Sequence, residues 1–154
     1  MKAGHSVVAT TRWADNLDYL RMLGATGVVV DVYNAPHLAA VLNAAKPDLI
    51  LQQLTDLSDF DTDANARLLR AGTANLIAAA ESVGVGRVIV QSDASAYAAG
   101  EGLAREDDPI EAGSAVADME NLLGHVSRAC VLRYGVLYGP GTWFAPGGRT
   151  ANAV

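Results

Sequence analysis

The chain has 154 residues, 51% hydrophobic and 18% charged, a composition that suits one globular domain with a real core and excludes disorder. Seventeen acidic against eleven basic side chains leave a net charge of −6, which argues against a nucleic-acid surface built from clustered Lys and Arg. No apolar run approaches the roughly 18 residues of a membrane span and no signal-peptide layout heads the chain, so a cytoplasmic location without membrane contact is expected.

Residues 6–11 (SVVATT) are β-branched and read as a strand. Asp15 or Asn16 is placed to cap a short helix over 15–23, which Gly24 ends. The continuous apolar run 27–32 (GVVVDV) predicts a strand covered on both faces. Asn34 then caps a helix over 35–45 with Pro36 in its first turn, where proline costs little. A third strand covers 48–54. The longest helix follows over 61–84, with Leu68, Leu69, Leu76, Ile77 and Ala80 at helical spacing and Gly84 closing it. Residues 87–92 (RVIVQS) form a fourth strand, and a loop of about twenty residues leads to a helix over 114–126. A fifth strand covers 129–135; its Cys130 excludes an internal disulfide and is expected in the core. The tail from about 136 to 154 is rich in turn residues and shows no periodicity.

Strands alternating with helices through short connections predict an α/β protein: a parallel sheet covered by helices, doubly wound and Rossmann-like. His5, His37 and His125 fall on different elements without ligand spacing, so no metal site is expected.

The segments GHSVVATTR, GVVVDV, DLILQQLTD, NARLLRAGTANLIAAAESVGVGRVIVQS, AYAAGEG followed by REDDP, and VLRYGVLYGPGT occur in the order seen in extended short-chain dehydrogenases. The chain resembles the NAD(P)-dependent epimerase/dehydratase family over nearly its whole length. The resemblance implies an NAD(P)-binding oxidoreductase acting on a small carbonyl or sugar-like substrate. The alternatives are a non-catalytic dinucleotide sensor or interaction protein, or a folded fragment that binds no cofactor. It also implies a homodimer packed through the helices near 62–83 and 113–125.

The resemblance places Arg12 just past the first strand, where an arginine suits the 2′-phosphate of NADP over NAD; a solvated surface arginine is the plain alternative. Asp31 corresponds to an acceptor for the adenine amino group, or serves as a turn aspartate. Leu54 and Thr55 would run beside the cofactor ribose and pyrophosphate. Ser92 lies near the family's substrate-binding hydroxyl, and the position that matches it by count from Tyr97 is Asp93. Tyr134 and Gly135 fall at the nicotinamide end, where a structural tyrosine is equally expected. Glu120 matches a later family glutamate but reads as a solvated helix carboxylate. The family's Tyr-x-x-x-Lys acid/base pair aligns near Ala112 and Val116, and neither Tyr nor Lys occurs in 111–127.

The fold also calls for a strand, Gly-rich turn and helix ahead of Gly4, and these residues hold no such motif in the right context. In the strand order 3-2-1-4-5-6 that unit is central. Strands 6–11 and 48–54 are therefore expected to face each other across a strand-wide gap, unless they close up and pair, or a partner chain fills the space. A smaller substrate-binding lobe is expected beyond the YGPG turn (138–141), and a start codon upstream of Met1 would restore the first unit.

Overall fold

The computed structural model describes residues 3–56, 61–148 and 150. In chain order the strands are β1 (Val8–Thr11), β2 (Thr26–Val29), β3 (Ile50–Gln52), β4 (Arg87–Asp93) and β5 (Arg128–Tyr134). The helices are α1 (Leu17–Met22), α2 (Ala35–Ala45), α3 (Thr62–Arg67), α4 (Thr73–Ser82) and α5 (Ala115–Leu122). All pairing within the sheets is parallel, with β1 beside β2 and β3–β4–β5 in a second ladder. Among the described residues no ladder joins β1 to β3. Of the alternatives, direct pairing of these two strands is not seen among the described residues, and they flank a seam.

The helix ends follow the residues that cap them. The Asn34 side chain accepts the His37 N–H at 3.1 Å at the start of α2, and Lys46 takes a left-handed φ of 45° at its end. Ser114 accepts from the Ala117 N–H at 3.1 Å to open α5. α1 departs from expectation: neither Asp15 nor Asn16 caps it, because a 3₁₀ turn over Ala14–Asn16 precedes it and Asn16 donates to Thr11 Oγ1 instead. The long helix is also interrupted, since Leu68–Gly72 forms a π turn between α3 and α4.

α4 packs against both α2 and α5. One cluster gathers Val30, Leu38, Leu42, Leu76, Ala79 and Ala80, with Ile50 partly buried against it. A second holds Leu69, Ile77, Val88, Val90, Met119 and Leu123. α1 packs on β2 at Gly27, where a Cβ would meet Leu17 Cδ2 at 2.9 Å. Gly27 is an odd number of residues from Val30, so by the two-residue pleat α1 lies on the opposite face from α2 and α4. Helices therefore lie on both faces at β2, as in a doubly wound sheet.

Among the described residues no helix covers the face of β3–β5 away from α4 and α5. Leu51 on it is 62% exposed and Leu132 36%. Cys130, expected in the core, is exposed because its register partner Ile89 shares that open face while Val131 turns to the helices. Among the described residues no helix is long and apolar enough to cross a membrane.

Candidate dinucleotide crevice at the sheet's carboxyl edge

In an open parallel sheet, ligands bind beyond the carboxyl ends of the strands where the winding reverses. Here the chain winds from β1 to β2 in one direction and from β3 through β5 in the other, so the reversal lies at the β1–β3 seam. Arg12 follows β1 directly, and Leu54, Thr55 and Asp56 follow β3. These four residues stand on the two sides of that reversal.

Across the mouth, Arg12 Nη2 donates to Asp56 Oδ2 at 3.2 Å, and the guanidinium lies 5.0 Å from the Trp13 ring centre. Asp56 is itself positioned from below: its N–H donates to Asn65 Oδ1 at 2.9 Å, and Thr55 Oγ1 donates to the same oxygen at 3.3 Å. Gly72, in the π turn, allows the helix to approach both sides of the seam at once. A Cβ there would meet Val32 Cγ1 at 3.1 Å and Leu54 Cδ1 at 3.5 Å. Asn75 Nδ2 also donates to the Val32 carbonyl at 3.0 Å, fixing the chain that leaves β2.

Asp31 lies just past β2. Its Oδ1 accepts the Tyr33 N–H at 2.9 Å and its carbonyl accepts the Asn34 N–H at 2.9 Å, so it shapes the turn into α2. The side chain is exposed, which leaves the carboxylate open to a further donor.

At the far end of the edge, the pleat separates the two residues singled out for catalysis. Ser92 pairs in register with Arg133 and faces α5, whereas Asp93 pairs with Tyr134 on the opposite face. Ser92 Oγ donates to Glu120 Oε1 at 2.6 Å, and the residue is 6% exposed. Asp93 accepts the Ser95 N–H at 2.7 Å.

Glu120 is not the solvated carboxylate that its isolation on the helix suggests. Arg133 grips it in a fork, Nε to Oε1 at 3.1 Å and Nη2 to Oε2 at 2.8 Å. Burial pushes the Glu120 carboxyl up, but hydrogen bonds from Arg133 and Ser92 and the Arg133 charge outweigh it, and the net shift is downward. Arg133 is raised, chiefly by its hydrogen bond to Glu120 and then by Tyr97. Its guanidinium also lies 4.7 Å from the Tyr97 ring centre and donates through Nη1 to the Glu106 carbonyl at 3.0 Å. One arginine thus ties β5 to α5 and to the loop closed by the Tyr97–Ile110 bridge.

The structure brings Arg12, Leu54 and Thr55 to the seam and places Asp31 and Tyr134 along the same carboxyl edge, while Ser92 turns beneath the sheet. Asp56 and Arg133 escape a reading of the sequence alone. Arg133 had a signal in the LRYG segment, but its role depends on the β4–β5 register that sets it opposite Ser92.

The residue types suit the adenosine half of a nicotinamide dinucleotide: a guanidinium for ribose or phosphate oxygens, and an exposed carboxylate for an amino group. Among the described residues no Gly-rich turn opening a helix offers N–H groups to a pyrophosphate.

A family profile described as NAD(P)H-binding matches residues 1–133. The Streptomyces 3-diazoavenalumate denitrifying reductase is 36% identical over 170 aligned positions, covering 98% of this chain and 54% of that protein. Among solved structures, the Campylobacter jejuni UDP-Glc/GlcNAc 4-epimerase superposes with a TM-score of 0.73 at 18% identity, over 86% of this chain and 46% of its own. Bordetella bronchiseptica WbmH in complex with NAD+ gives 0.69 at 22% identity, over 86% and 48%. The chain thus spans about half the length of the relatives it matches, and the likeness to the solved structures is one of fold.

Proposed function

Because the chain belongs to the NAD(P)H-binding family, we propose that the crevice above the β1–β3 seam receives the adenosine half of a nicotinamide dinucleotide. The observation that carries this reading is the guanidinium of Arg12 at the winding reversal of the sheet, on the side of β1 that faces β3. In this reading Arg12 holds the ribose or its phosphate, Asp31 accepts from the adenine amino group, and Leu54 and Thr55 border the ribose. Tyr134, at the end of β5, stands at the nicotinamide end. A dinucleotide held there would supply hydride-transfer chemistry toward a small-molecule substrate, carbonyl or sugar-like in the family's manner.

The chain's own residues supply little acid/base chemistry there. The Ser92 proton is committed to Glu120, whose carboxylate the Arg133 fork keeps ionised. No lysine stands in 111–127 to activate a tyrosine. That commitment of Ser92 favours a second reading, a dinucleotide-binding protein without turnover. Pairing of two copies through the long helical run 62–83 (α3, the π turn and α4) with α5 beside it, and a cytoplasmic location, belong to the same proposal.

Calorimetry with NADH and NADPH on the 154-residue chain tests the binding reading. Saturable binding that Arg12→Ala weakens at least roughly fivefold is expected for the loss of a charge-assisted contact. Absence of binding to both dinucleotides, by folded protein, overturns it. Oxidation of either cofactor with a panel of carbonyl compounds separates the oxidoreductase from the silent binder.

A further inference from the structure

We infer that Asp56 sets the choice between the two nicotinamide dinucleotides by holding the guanidinium that a 2′-phosphate would need; this rests on the crevice proposed above. Arg12 and Asp56 are 44 residues apart in sequence and stand on opposite sides of the seam, yet they meet at 3.2 Å. The contact is a single Nη2–Oδ2 approach and not a fork, so most of the guanidinium donors stay available. The Arg12 side chain is 43% exposed and that of Asp56 25%, so both reach the crevice mouth.

Neither partner is placed by chance. The Trp13 ring, 5.0 Å from the Arg12 guanidinium, restricts it on one side. Asn65, on α3, holds Asp56 through its backbone N–H at 2.9 Å. The backbone that carries the carboxylate is thus held on the β3 side of the crevice by a contact other than Arg12.

The consequence is one of charge. A lone arginine presents a full positive charge to a phosphate, and a phosphate monoester carries about −1.5 to −2 near neutral pH. Paired with Asp56, the same group presents a net charge near zero, and the arriving phosphate meets a carboxylate within a few ångströms. A ribose hydroxyl meets no such opposition, because it donates a hydrogen bond that a carboxylate accepts. Asp56 therefore restrains the preference for NADP that Arg12 alone would confer.

The test is the ratio of NADPH to NADH dissociation constants for wild-type chain, Asp56→Asn and Asp56→Ser, with far-ultraviolet circular dichroism confirming the fold of each. Removal of one like charge at ~4 Å in a water-like dielectric should tighten NADPH relative to NADH by about tenfold at low salt, and by less at high salt. Arg12→Gln should shift the ratio the other way. A ratio unchanged or moved toward NADH in both Asp56 variants overturns the inference while leaving the crevice intact. If wild-type chain binds neither dinucleotide, the crevice reading itself fails and the inference with it.

Discussion

Replacing Glu120 with Gln probes the most heavily bonded side chain at the carboxyl edge. Glu120 accepts from Ser92 at 2.6 Å and from Arg133 at 3.1 and 2.8 Å. A glutamine of the same shape offers one oxygen and points an NH₂ group at donors, so at least one of these bonds is lost. The Arg133 side chain, 20% exposed against 12% for Glu120, then lacks its counter-charge. Breaking a fully buried ion pair costs about 3–5 kcal/mol, and orphaning a buried polar group about 1–3. Arg133 keeps the Glu106 carbonyl at 3.0 Å and some solvent contact, so the expected loss lies between, at about 2–3 kcal/mol.

Urea unfolding of wild type and Glu120→Gln at about pH 7 and again near pH 3.5 checks this. The folded carboxyl sits below its ordinary value of 4.5. Its contribution to stability is therefore complete above that value and is lost as pH falls through the folded value. The gap between the two proteins should narrow in acid, where wild type begins to protonate the same group. In a double-mutant cycle, Glu120→Gln with Arg133→Met should cost less than the sum of the single changes. A loss under roughly 0.5 kcal/mol at neutral pH, or a gap that does not change with pH, would refute the clamp as a source of stability.

Two further changes address the core beside the crevice. Gln52, 1% exposed, donates to Thr73 Oγ1 at 3.0 Å and to Met119 Sδ at 3.8 Å, while its buried Oε1 has no partner among the described residues. Replacing both polar partners, as Gln52→Met with Thr73→Val, should leave unfolding free energy within about 1 kcal/mol of wild type or raise it, whereas Thr73→Val alone should cost about 1–3; equal losses in thermal or urea unfolding would contradict this. Gly72→Ala puts a methyl 3.0 Å from Leu68 Cδ1 and 3.1 Å from Val32 Cγ1. It should cost about 1–3 kcal/mol, because Leu68 and Val32 must give way; unchanged stability would show that the π turn tolerates the added volume.

The element order was legible because each strand is a short apolar run and each helix carries a 3.6-residue stripe. The α2 cap at Asn34 was legible for the same local reason. What failed was set by contacts distant in sequence. Leu68–Gly72 carries an ordinary helical pattern, and nothing local marks its π turn, which sits where Gly72 passes close to Val32 and Leu54. Cys130 sits in an apolar strand that reads as buried, but the cover on each strand face is a property of the layers. At the candidate site, the placement of Arg12, Asp31 and Leu54 just past strand ends was legible from the strand pattern, and the resemblance proposed their roles. Asp56 was not, because its role appears only when β1 and β3 are set across the seam. Ser92 and Glu120 looked unrelated until the β4–β5 register brought Arg133 between them.

The seam raises its own question, since two ladders without a shared strand pair hold together. The answer lies in the helix layer. Val30, just past β2, and Ile50, in β3, pack into one cluster beneath Leu38 and Leu42 of α2 and Leu76 of α4. Ala79 and Ala80, 4% and 1% exposed, let those two helices approach closely. Burial of Val30, Leu38, Leu42 and Leu76 alone contributes on the order of 6–12 kcal/mol before chain entropy is counted. At the carboxyl edge, by contrast, the bridge across the mouth is the Arg12–Asp56 pair, and an ion pair this exposed is worth about 0–1 kcal/mol. The halves are therefore joined firmly on the side of α2 and α4 and weakly at the crevice. A ligand that parts Arg12 from Asp56 gives up about 0–1 kcal/mol from that pair, while the packing of α2 and α4 beneath the seam stays in place.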